Sequence, residues 1–193
     1  MVMIYAALDY SMTSPAMVIL NEDAQEYKFY YMTTTKSRVN VTKDLDSRLI
    51  EYDSSVTQDI RDEKVGSSMN RFQTIARYFT SHMIAKGVGH VFLEGYSLGS
   101  KGKVFSIAEN TAVLKMYLMK MEVPVTIIPP TVIKKWATGR GNANKRDMKE
   151  AYERRVRAHW LAPISHYKDS PYTDCIDAYW ILHCGLDKLK QKD

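Results

Sequence analysis

Three apolar runs crowd into the first 32 residues, and this constrains the fold more than any other feature of the chain. Residues 2–9 (Val-Met-Ile-Tyr-Ala-Ala-Leu-Asp), 16–20 (Ala-Met-Val-Ile-Leu) and 26–32 (Glu-Tyr-Lys-Phe-Tyr-Tyr-Met) have the length and composition of strands. The links between them are too short for a helical crossover, so the strands form an antiparallel meander. Asn21-Glu22-Asp23 supplies turn chemistry for the second link. The first run ends on an acid, Asp9.

The pattern then changes. Residues 33–68 are polar, rich in Thr, Ser and Asp, and read as a long loop or insertion with a short helix around Asp44–Tyr52. Phe72, Ile75, Phe79 and Met83 lie on one helical stripe that Gly87 stops. Residues 90–94 form a short strand ending on Glu94, followed by a Gly/Ser loop from Gly95 to Gly102. Ser106 to Glu109 fits a capping box, and the helix it opens carries Ile107, Thr111, Leu114, Leu118 and Met121 on one face. Residues 123–128 read as a strand closed by Pro129-Pro130. A Gly/Asn-rich loop, Thr138 to Asn144, leads to a basic helix starting near Lys145 with Asn144 as N-cap. A last helix opens at Ser170-Pro171 and runs to about Lys188. The order β-β-β-α-β-α-β-α-α implies an α/β fold: a mixed five-stranded sheet, antiparallel then parallel, with helices on both faces. At 193 residues the chain suits a single domain, 1–193.

Composition narrows the partners. No apolar run reaches the roughly 18 residues of a membrane span, and the N-terminus has no signal-peptide pattern, so a cytoplasmic location is expected. Cys175 and Cys184 fall in one helix, about 13 Å apart along its axis. That is beyond the roughly 7 Å a disulfide tolerates, and the pair makes no zinc site. The net charge is +5, but residues 134–157 hold nine Lys or Arg against three acids, so that block carries +6 and the remainder −1. A basic block on a neutral chain suits a polyanion such as nucleic acid; it equally describes a solvated helix face.

Four acids look chemical. Asp9 and Glu94 end apolar strands, and Asp174 and Asp177 are three apart on one helix face. Taken singly, each reads more readily as a turn, cap or solvated residue. As a set on three elements they are costly to bury together unless a cation compensates them. Carboxylate oxygens suit Mg²⁺ or Mn²⁺, and two such ions can promote phosphodiester hydrolysis.

These residues also resemble a known family. Leu8-Asp9-Tyr10-Ser11-Met12-Thr13-Ser14-Pro15-Ala16 resembles the opening strand and turn of the RuvC-like Holliday-junction resolvases, and Phe92-Leu93-Glu94-Gly95 their second acid. Lys134 and Lys135, followed by Gly139-Arg140-Gly141-Asn142-Ala143-Asn144-Lys145, are similar to the family's lysine and Gly-x-Gly-x-Ala-x-Lys stretch. Asp174-Cys175-Ile176-Asp177-Ala178 matches its terminal Asp-x-x-Asp-Ala motif. The resemblance covers nearly the whole chain in order, except about residues 33–68.

The resemblance implies a ribonuclease H-like fold, a homodimer and paired cuts across a four-way DNA junction. Asp9, Glu94, Asp174 and Asp177 would bind the metal, two ions of Mg²⁺ or Mn²⁺. Lys145 would act near the scissile phosphate or simply clamp it. Gly139 and Gly141 would let backbone approach DNA, and Lys134, Lys135, Arg140 and Arg146 would contact phosphates. The helix around Ser106–Met121 would form the dimer interface. For the aromatic that wedges the junction in this family, Tyr96, Leu98 and Phe105 are all candidates. His166 and His183 read as ordinary structural or surface histidines rather than ligands. Two other readings stand beside the resolvase: a same-fold nuclease for flaps, forks or RNA–DNA hybrids, and a silent DNA-binding module, which the complete acid set disfavours. The short chain and the insertion suggest a bacteriophage source.

Overall fold

The computed structural model describes residues 2–33, 50–52, 68–96, 104–156 and 171–191. The three apolar runs form β1 (Ile4–Asp9), β2 (Ala16–Asn21) and β3 (Glu26–Tyr31), paired antiparallel, with Asp9 opposite Ala16 and Asn21 opposite Glu26. A short β4 (Ile50–Tyr52) follows, then α1 (Ser68–Lys86), β5 (His90–Glu94), α2 (Val104–Lys120), β6 (Val125–Ile128), α3 (Pro130–Thr138), α4 (Lys145–Val156) and α5 (Tyr172–Lys190). The sheet has the order β4-β3-β2-β1-β5-β6, with β5 and β6 parallel to β1.

The central strands are apolar on both faces because both are covered. Ala6, Leu8, Met17, Ile19, Tyr30, Val91 and Leu93 face one way and pack on Phe72, Ile75, Phe79 and Met83 of α1 and Leu114 and Leu118 of α2. Ala7, Val18, Leu20, Phe29, Tyr31 and Phe92 face the other way and pack on Ile176, Trp180 and Leu182 of α5 and Met148 and Tyr152 of α4. Helix α5 lies across β1, β2 and β5. Its Gly185 makes that closeness possible, since a Cβ there would fall into the Phe92 ring. Cys175 and Cys184 are buried free thiols in α5. No helix among the described residues is long and apolar enough to cross a membrane.

Several expectations are corrected. Among the described residues the sheet has six strands, not five: Ile50–Tyr52, expected in a short helix, is a strand parallel to β3 with Ile50 buried. Three residues are too few to display a period, and pairing to β3 decides their conformation; residues 44–49 lie outside the described ones. Pro129-Pro130 does not merely end a strand. Pro130 opens α3, where a missing N–H costs nothing in the first turn, so the element order gains a helix. Helix α2 already begins at Val104, so Ser106 lies inside it and is no N-cap. Strand β6 begins at Val125 rather than residue 123. Helix α5 has Pro171 at its N-cap position, and Ser170 lies outside the described residues.

Two expected boundaries hold. Gly87, with φ +68°, ends α1. Asn144 caps α4 reciprocally: Asp147 N–H donates to Asn144 Oδ1 at 3.1 Å, and Asn144 N–H donates to Asp147 Oδ2 at 3.0 Å.

Candidate active site

Alternation along the strands aims the first two acids. Ala7 and Phe92 face α5, so Asp9 and Glu94, two residues on, face it too. Leu8 pairs with Leu93, which brings Asp9 and Glu94 to adjacent positions at the carboxyl ends of β1 and β5. On α5, Asp174 and Asp177 share a face with Ile181 one turn further. The seating of Gly185 against Phe92 presses that face onto the sheet.

The result is a cluster. Oxygens of Asp9, Asp174 and Asp177 lie within 4.8 Å of one another, the one group of His, Cys, Asp or Glu among the described residues able to close on a single metal ion. Glu94 is not in this tight group but borders the same cleft, whose volume is about 400 Å³. Asp174 is only 4% exposed. Lys145 Nζ stands 3.5 Å from Asp174 Oδ1, and Lys134 borders the cleft as well.

The electrostatics follow from this crowding. Burial, then repulsion from Asp177, Glu94 and Asp174, holds the Asp9 carboxyl well above the usual range despite Lys145. Burial pushes Asp177 up to about 7; Lys145 opposes this, and Glu94 and Asp174 add to it. Burial also raises Glu94, against the pull of Lys134 and Lys145. Burial lowers the Lys145 ammonium, but Asp174, Asp177 and Asp9 outweigh it, so it is held above its ordinary range. Neighbouring carboxylates that resist ionisation together form a set that a divalent cation would relieve, and all-oxygen donors fit a hard ion.

Lys145 is held by its helix. The indole N–H of Trp180, on α5, donates to the Met148 carbonyl of α4 at 3.1 Å. This ties the first turn of α4 to the helix that carries the two aspartates.

The other candidates lie apart to different degrees. Lys135 is exposed on α3. Arg140 pairs with Asp147 at 3.0 Å, and Arg146 with Glu150 at 2.8 Å, both on the surface. Gly139 takes a left-handed conformation, φ +81°, as the C-cap of α3, and Gly141 packs against the Thr131 carbonyl. Both glycines thus have a structural reason within the chain. Tyr96 is 45% exposed, with Lys115 Nζ 5.1 Å from its ring centre. Phe105, at the start of α2, is 83% exposed. His183 lies away from the acids, its Nε2 3.2 Å from Tyr27 Oη. His166, Leu98 and Arg157 lie outside the described residues.

Sequence reasoning passed over part of the cleft. Ser11, Thr13 and Ser14 line it from the β1–β2 turn, and Ile133, Met148 and Ile181 give it an apolar side. The hydroxyls sit two to five residues after Asp9, a signal that nearness to the first acid could have raised.

No protein-family profile and no curated protein matches the sequence. Solved structures do match. The Thermus thermophilus RuvC structure is 11% identical, with 96% of each chain covered and a TM-score of 0.62. T. thermophilus RuvC in complex with Holliday junction substrate is 9% identical, with 96% of each chain covered and a TM-score of 0.60. The Fowlpox virus resolvase, solved with substrate Holliday junction DNA, is 15% identical over 98% of each chain, with a TM-score of 0.46. With its antiparallel β1–β3, its parallel β5 and β6 and helices on both faces, this chain has the ribonuclease H-like fold of RuvC.

Proposed function

We propose that this chain is a divalent-metal-dependent endonuclease that resolves four-way DNA junctions by hydrolysing one phosphodiester in each of two strands. The observation that carries the reading is the convergence of Asp9, Asp174 and Asp177 within 4.8 Å at the carboxyl end of the central strand. Such a cluster has little use in a binding module, because it repels phosphate unless a cation occupies it. The basic block and the fold shared with RuvC, a protein solved with a Holliday junction, support DNA as the substrate.

In this reading Asp9, Asp174 and Asp177 hold Mg²⁺ or Mn²⁺, with Glu94 completing a site for two ions. The ions would supply Lewis acidity and a more acidic bound water. The chain's own residues do the rest. Lys145, kept protonated by its acidic neighbours, stabilises charge that develops on the phosphate. Lys134, Lys135, Arg140 and Arg146 neutralise neighbouring phosphates and make binding salt-sensitive. The chain acts as one domain. Paired cutting requires two copies, and α2 offers the surface: Met116 and Met119 are exposed on it, as are Val125 and Ile127 on the edge strand β6. Phe105 is the most exposed aromatic candidate for a wedge at the junction.

The test is a cleavage assay on a labelled four-way junction, a Y-fork and a linear duplex, with Mg²⁺ or with EDTA. Symmetric nicks in the junction, lost in EDTA, are expected. Cutting of the fork but not the junction would move the function to flap or branch processing. Junction binding without any cutting would leave only a recognition module.

A further inference from the structure

One wall of the cleft has no part in the chemistry above. Across the order β2-β1-β5-β6, the β1–β2 turn lies on the β2 side of Asp9, whereas α3, bearing Lys134, follows β6 on the far side of Glu94. The described cations bordering the cleft are Lys134 and Lys145; the turn contributes only the hydroxyls of Ser11, Thr13 and Ser14.

The turn that carries these hydroxyls is held in place. Ser14 N–H donates to Ser11 Oγ at 3.0 Å, and the Thr33 hydroxyl donates to the Thr13 carbonyl at 3.2 Å. Met32 N–H donates to the Pro15 carbonyl at 3.2 Å, fixing the end of the turn to the end of β3. Because Ser11 Oγ serves as an acceptor within the turn, its own proton remains to be donated outward. Ser14 is only 6% exposed yet borders the cleft, and its hydroxyl has no hydrogen-bond partner among the described residues. The residue is thus packed almost entirely into the protein while it borders the space that a substrate would fill, so its hydroxyl is available to a partner there.

We infer that Ser11, Thr13 and Ser14 form a neutral phosphate-binding subsite that holds the non-bridging oxygens of a DNA phosphodiester beside the acid cluster. The inference rests on the nuclease reading. Serine and threonine hydroxyls are common partners of DNA phosphates. The absence of charge is what suits them to this wall. A lysine or arginine two to five residues from Asp9 would pair with the acids and compete with the metal. A hydroxyl donates to phosphate and leaves the carboxylates free.

Neutral donors release no counterions from DNA, which makes the subsite separable from the cationic contacts. The experiment titrates a fluorescent four-way junction and a single-stranded oligonucleotide with wild type, Thr13→Val/Ser14→Ala, Thr13→Ser and Lys134→Ala. Binding is read in Ca²⁺ over a range of salt concentrations, beside cleavage in Mg²⁺ and a thermal midpoint. The double variant is expected to bind roughly tenfold or more weakly, as for lost hydrogen bonds to a charged group. Its slope of log affinity against log salt stays that of wild type, Thr13→Ser binds as wild type, and Lys134→Ala flattens the slope by about one. Wild-type affinity in the double variant overturns the subsite. So does weaker binding with a matching fall in thermal midpoint, which would make the hydroxyls structural. Wild type that binds DNA but never cuts it sinks the nuclease reading alone, since the subsite is judged by binding.

Discussion

At the scale of single residues, the chemistry turns on carboxylates made reluctant to ionise. Asp177 titrates at about 7 in the folded protein against 3.8 ordinarily, so the metal-free fold binds its proton more tightly than the unfolded chain does. That contribution is fully present below about pH 4, declines as pH rises, and is gone by about pH 7. Asp177→Asn is therefore expected to stabilise the EDTA-treated protein increasingly from pH 4 to 7, by on the order of a few kcal/mol at neutrality. Thermal melts of both proteins across that range check this, and a pH-independent difference would refute it. Asp9→Asn, Glu94→Gln and Asp177→Asn are each expected to abolish cleavage while junction binding persists; near wild-type cleavage by one of them removes it from the site. Lys145→Ala is expected to lower the single-turnover rate more than the affinity, because its ammonium contacts Asp174 in the acid cluster. Equal losses in both would make it a phosphate clamp.

At the scale of elements, α5 decides whether a site exists. It carries two of the three clustered aspartates and is tied to α4 through Trp180 and to α3 through the Trp136 indole, which donates to Asp187 at 3.0 Å. The Arg155 guanidinium, 5.1 Å from the Trp136 ring centre and 5.8 Å from that of Trp180, adds to the same junction. Its distance from the sheet is set by one glycine. Gly185→Ala would drive a methyl group into the Phe92 ring and is expected to cost about 1–3 kcal/mol by overpacking. Urea unfolding measures that cost. Cleavage should fall with it, although the substitution lies two to three turns from the acids; unchanged stability would show that helix and sheet adjust freely.

At the scale of the whole molecule, the acid cluster is a stability defect that a ligand can repair. A divalent ion that binds only the folded state, at a hundred times its Kd, adds about 2.7 kcal/mol. For a chain of this size that raises the thermal midpoint by roughly 5–10 °C. Mg²⁺ or Mn²⁺ should give such a rise, and Asp177→Asn should blunt it; a midpoint indifferent to both ions would count against a metal centre. Assembly belongs to this scale too. If α2 joins two copies, Met119→Glu places a charge on a surface that is 72% exposed in the single chain and should convert a dimer to monomers in sedimentation. An unchanged sedimentation coefficient would move the interface elsewhere.

The sequence by itself determined the period, order and polarity of most elements. Double-sided apolar strands demanded a sheet covered on both faces, and the apolar runs placed Asp9 and Glu94 each at the end of a strand. The i,i+3 spacing of Asp174 and Asp177 put both on one face of α5, and Asn144 announced its own cap. What local pattern could not determine were features whose stabilisation comes from partners distant in sequence. Three residues become β4 only because β3 offers hydrogen bonds. Pro130 opens α3 rather than ending a strand because Ile133 and Trp136 find α4 and α5 to pack on. The tertiary structure alone decided which acids converge, leaving Glu94 outside the tight trio, and which wall of the cleft Ser14 would line. Those outcomes depend on how closely α5 approaches β1 and β5, a distance set by packing Gly185 against Phe92.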